Sequence, residues 1–126
     1  MERRVKISLY NLGNAITRLG EALDQDETNS LFIDGTIRRF EFTIELFWKT
    51  LKRMLEVEGI EASTPRQSLK EAYAAGWIHN ETAWLQMLRD RNETSHVYNE
   101  DKAKQIYDRI KIHYPLLVET HKNLTE

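Results

Sequence analysis

The sequence predicts an all-α fold, an up-and-down antiparallel bundle of about five helices, and three observations carry that reading. The opening segment places Val5, Leu9, Leu12, Ile16, Leu19 and Leu23 at spacings of 4, 3, 4, 3 and 4. That is one apolar stripe of an amphipathic helix, with no strand alternation. The 126 residues include only 5 Gly and 2 Pro, so turns are few. Leu, Glu, Lys and Arg, all good helix formers, are plentiful.

The elements follow in order. Residues 24–30 are polar and suit the first connection. The second helix is the longest, at about residues 31–58. Its core stripe of Ile37, Phe40, Ile44, Phe47, Trp48, Leu51, Met54 and Leu55 fits within about 120° of arc. Phe42 and Leu46 lie nearly opposite, with Val57 close to them. A helix apolar on two sides is central in its bundle or covered by another chain. At least one of Phe42 and Leu46 is therefore expected at a subunit or partner contact. Gly59 suits a helix stop.

Thr64, Pro65 and Gln67 read as cap, first helical position and capping box of a short third helix, which Gly76 ends near Ala75. Asn80 can cap a fourth helix carrying Trp84, Met87 and Leu88. The last helix starts near Asn99, with a stripe of Ala103, Ile106, Ile110, Leu117 and Leu124, and with Tyr107 and Tyr114 beside it. Pro115 lies inside this pattern and is expected to kink the helix or break it in two. The expected buried positions are Val5, Leu9, Leu12, Ile16, Phe40, Ile44, Trp48, Leu51, Trp84 and Ile110.

Residues 1–126 read as one domain. The chain has 18 Lys+Arg against 20 Asp+Glu, a net charge of −2. That excludes a general polyanion binder, so any nucleic-acid contact must be a local site. The absence of cysteine excludes disulfides, thiolate metal sites and cysteine nucleophiles. No apolar run reaches the roughly 18 residues of a membrane span and no signal-peptide pattern is present, so a cytoplasmic location without membrane contact is expected.

The chemistry-bearing residues are sparse. His113 and His121 are eight apart without zinc-motif spacing, and His79 sits in a turn. All three read best as structural histidines. Arg38, Lys49, Lys52 and Arg53 cluster on one side of the second helix. Glu41 and Glu45 share that side, and Glu45–Lys49 is a favourable i,i+4 pair, so a solvated, salt-bridged face reads better than an RNA track. The segment around Arg91 and His96 is different, because helix formers give way there to Asn, Thr and Ser. Five residues turn an unbroken helix by about 140°. Arg91 and His96 can share a site only if the helix ends or distorts within residues 92–95. Arginine suits phosphate oxygens and histidine can move a proton near neutral pH. Spacing alone fits an ordinary charged helix end better.

The run Arg39-Phe40-Glu41-Phe42-Thr43-Ile44-Glu45-Leu46-Phe47-Trp48-Lys49-Thr50-Leu51-Lys52 resembles the signature helix of the nucleotidyltransferase substrate-binding protein family. These are small HEPN-domain proteins related to HepT toxins. Asp34-Gly35-Thr36-Ile37-Arg38, Ser63-Thr64-Pro65-Arg66 and residues 90–100 fit as well, in order and over nearly the whole chain. The signature helix together with the Arg91-x4-His96-x-Tyr98 element is specific.

The resemblance implies a HEPN-like bundle that forms a homodimer, and a minimal nucleotidyltransferase as separate partner. In a toxin–antitoxin type pair, the chain is then a metal-independent endoribonuclease with no cofactor. Arg91 binds the scissile phosphate, and His96 serves as general base or acid for attack by the RNA 2′-hydroxyl. Asn92 helps to place the phosphate. Tyr98 matches the tyrosine that the partner adenylylates to silence the toxin. The family name also implies an alternative: a non-catalytic substrate-binding subunit of a two-chain nucleotidyltransferase.

Overall fold

In a computed structural model, which describes residues 1–94 and 99–126, the chain forms five helices. They are α1 (Arg3–Leu23), α2 (Ser30–Val57), α3 (Pro65–Ala74), α4 (Glu81–Glu93) and α5 (Glu100–Thr125), and no strand occurs among the described residues. Among the described residues, no helix is long and apolar enough to cross a membrane.

The caps fall where the side chains predict. Asn29 accepts from Leu31 N, Thr64 from Gln67 N, Asn80 from Ala83 N and Asn99 from Lys102 N. Each satisfies an N–H that the first helical turn leaves open. Gln67 folds back to accept from the Ser63 amide at 3.1 Å, one residue earlier than a standard capping box. Gly59 and Gly76 take positive φ after α2 and α3. They let Ile60 N reach Leu55 O and Trp77 N reach Ala72 O, the closing bonds of a glycine helix end.

α1 packs on α2 and α5, α3 on α2 and α4, and α4 also on α2 and α5. The α1–α2 pair is antiparallel, because Arg39 donates to Arg18 O and Thr43 to Ala15 O as the two helices run past each other. Tyr114 and His121 of α5 meet Ile16 O and Leu9 O of α1 in the same antiparallel sense. At the centre, Leu12, Leu19, Phe40, Phe47, Leu51 and Ile106 are fully buried, and Phe47 meets Trp84 edge-on at 4.7 Å.

One expectation needs correction, and another is narrowed. Trp48 is only half-buried, because it lies at the edge of the α2 stripe and turns its indole N–H to Glu45 Oε2 at 3.1 Å. An indole donor finds a partner more readily at such an edge than in a dry core. Pro115 does not divide α5, which is one helix from Glu100 to Thr125. Pro115 is exposed, so water can take up the Lys111 carbonyl that the missing N–H leaves open. The other nine expected core positions are all buried.

Candidate active site at the end of α4

Helix α4 ends at Glu93, and Thr94 donates to Arg91 O at 2.7 Å. The end therefore falls within the residue interval where Asn and Thr compete for backbone hydrogen bonds. Arg91 lies in the last turn, half-exposed, where a cation complements the helix dipole. His96 and Tyr98 lie outside the described residues.

The Arg91 guanidinium is held on two sides. Its Nη2 donates to Glu45 Oε2 at 2.6 Å and its Nη1 to Asn92 Oδ1 at 3.1 Å. Glu45 also pairs with Lys49 at 3.4 Å and accepts the Trp48 indole. Partial burial is the largest single influence on Glu45 and opposes its ionisation. The Trp48 bond, then Arg91 and Lys49, outweigh it and hold the carboxylate below its ordinary value. Glu45 is thus an anion at neutral pH, and it fixes the direction of the arginine fork.

A second pair secures the helix that carries Arg91. Asp90 is 1% exposed, and Arg109 of α5 grips it through Nε at 3.0 Å and Nη2 at 2.8 Å. Gln86 donates to the same carboxylate at 3.0 Å. Lower down, Lys102 of α5 pairs with Glu93 at 3.1 Å. These contacts pin the last turn of α4 against the first half of α5.

Asn92 accepts from Arg91, and Phe42 is 61% exposed on α2. Leu46 is half-buried and packs against the core. Sequence reading missed the role of Glu45 and Trp48 toward Arg91, and the Asp90–Arg109 pair. Glu45 showed only its local partner Lys49; its bond to Arg91 spans 46 residues and leaves no spacing signal. His121 is structural, with Nε2 2.8 Å from Leu9 O, and His79 is exposed in the α3–α4 turn.

The sequence matches the family model described as nucleotidyltransferase substrate binding protein like over residues 7–126. It is 30% identical over 112 residues to a Haemophilus influenzae protein named probable ribonuclease HepT, covering 82% of this chain and 77% of that one. A crystal structure from Thermus thermophilus aligns with a TM-score of 0.84 at 30% identity, covering 91% of this chain and 99% of that chain. A Haemophilus influenzae structure, described as revealing the fold of a substrate binding domain of a nucleotidyltransferase, aligns with a TM-score of 0.71 at 26% identity over 97% of each chain.

Proposed function

Because the chain belongs to the nucleotidyltransferase substrate binding protein-like family, we propose that it is a HepT-like endoribonuclease, paired with a minimal nucleotidyltransferase that silences it. The observation that carries this reading is the aimed, surface-placed Arg91 at the end of α4, held by Glu45 and Asn92, with His96 five residues further along the sequence. Arg91 offers a planar fork to a phosphodiester. His96 takes the proton of the RNA 2′-hydroxyl as O2′ attacks phosphorus. The P–O5′ bond breaks, the 5′ oxygen is protonated, and a 2′,3′-cyclic phosphate remains. Arg91 stabilises the charge that builds on the phosphoryl oxygens. No metal or cofactor takes part.

A C2 homodimer brings two copies of the Arg91 region together. Transfer of AMP from ATP to the Tyr98 hydroxyl, with release of pyrophosphate, places a phosphodiester anion beside Arg91. That anion occupies the fork and repels the RNA backbone.

One observation favours a second reading, a non-catalytic substrate-binding subunit. Glu45 already neutralises Arg91, so a phosphate must compete with a carboxylate for it. Expression of the chain without its nucleotidyltransferase separates the two. The ribonuclease reading expects growth arrest with fragmented RNA, lost in His96→Ala. The subunit reading expects unchanged growth with both chains.

A further inference from the structure

Away from the end of α4, α1 and α2 enclose an open groove of about 660 Å³, within the size range of small-ligand sites. Its floor is apolar, from Ala15 and Leu46, Phe42 forms its rim on α2, and its walls carry Arg18, Arg38 and Arg39. Among the described residues, no carboxylate lines it. Among the described residues, none of these three arginines has a carboxylate within ion-pair distance, whereas Lys49 and Arg91 on the neighbouring surface are both paired with Glu45. Arg39 is fixed to the groove wall, because its Nη1 donates to Arg18 O at 2.6 Å. Three unneutralised guanidinium groups around an exposed ring, on a chain of net charge −2, call for an anion with a flat face.

The position of Phe42 on α2 names the ligand. At about 100° per residue, Phe42 is roughly 60° from Arg39 on the α1 side and roughly 60° from Glu45 on the α4 side. It therefore stands on the crest between the groove and the Arg91 fork, about one helical turn from Glu45 along the axis. A strand that stacks one base on Phe42 reaches both. A second copy of the chain fits poorly, since the same patch would bring three more unpaired arginines against these three.

We propose that the α1–α2 groove is a subsite for single-stranded RNA. One base stacks on Phe42, the flanking phosphates lie on Arg18 and Arg38, and the strand continues over α2 to Arg91. The fate of the RNA at Arg91 rests on the ribonuclease reading; its binding in the groove does not.

The test is fluorescence anisotropy on the purified full-length protein with a short, labelled 2′-O-methyl RNA, which lacks the attacking hydroxyl and so cannot be cleaved by this route. Phe42→Ala should weaken binding about tenfold, and Phe42→Trp should retain it. Replacing Arg18 and Arg38 together by Gln should flatten the salt dependence by about 1.4 in the slope of log K against log salt. Circular dichroism confirms that each variant is folded. Unchanged RNA affinity in folded Phe42→Ala overturns the proposal. So does loss of the dimer in that variant with RNA affinity intact, which makes the face a protein contact. Displacement of the RNA by polyglutamate at equal charge concentration also overturns it, since the groove then reads acidity alone. Phe42-dependent binding in a protein that cleaves no RNA keeps the subsite and removes only the ribonuclease reading.

Discussion

Glu45 of α2 holds the Arg91 guanidinium of α4 at 2.6 Å, although 46 residues separate them. The carboxylate orients the arginine and also competes with any phosphate for it. Glu45→Gln should keep the side chain's shape while removing that competition. Affinity for the 2′-O-methyl RNA should rise by up to about fivefold, matching the roughly 0.2–1 kcal/mol of a partly exposed ion pair. Anisotropy titration checks this; weaker binding in the variant would make Glu45 a net support for phosphate capture.

The Asp90–Arg109 pair should matter more for stability. Asp90 is buried and Arg109 half-exposed, with two bonds of 3.0 and 2.8 Å between them. Asp90→Asn breaks a charge-assisted fork and leaves the guanidinium without its partner, so it should cost about 3 kcal/mol. Urea unfolding measures it. A loss below about 1 kcal/mol would mean that solvent replaces the carboxylate at Arg109.

The helix glycines should respond in opposite directions. A Cβ added at Gly20 would lie 2.9 Å from Tyr114 Cζ, and that ring is anchored by its hydroxyl on Ile16 O. Gly20→Ala should therefore destabilise by about 1–3 kcal/mol, through overpacking. At Gly35 a Cβ would meet nothing within 4 Å. Gly35→Ala should stabilise α2 by about 0.5–1 kcal/mol. Thermal melts of the two variants should move to opposite sides of the wild type.

His113 of α5 should make the fold sensitive to acid. Burial is the largest influence and pushes its pKa below 6.5; Asp90 opposes the shift and Arg109 adds to it. With the folded value depressed, the unfolded chain takes up the proton first as pH falls. The stabilisation is complete above the unfolded value of about 6.5 and is lost as pH falls through the folded value. In melts between about pH 8 and pH 5, His113→Gln should lose less stability than wild type. Equal losses would remove His113 as the cause.

Local chemistry made the fold legible. The 4-3-4-3-4 stripe of α1 became a buried face, and Thr64, Asn80 and Asn99 cap the helices they precede. Trp48 misled because its outcome depends on which face of a helix meets water. Of the candidate site, Arg91 and Asn92 are singled out by the resemblance to the family, since residue type and spacing alone fit an ordinary charged helix end. The roles of Glu45 toward Arg91 and of Arg109 toward Asp90 could not be read from the sequence, because each residue reaches the site only through helix packing. Their signal is a partner in space with no fixed separation along the chain.

The most direct measurement of the central claim is RNA cleavage in EDTA by the purified wild type, Arg91→Lys and His96→Ala, each shown to be folded and freed of the nucleotidyltransferase. The account predicts fragments ending in 2′,3′-cyclic phosphate from the wild type, strong loss in Arg91→Lys despite its retained charge, and none above background from His96→Ala. Wild type no more active than His96→Ala would contradict it, as would activity that appears only with added divalent metal.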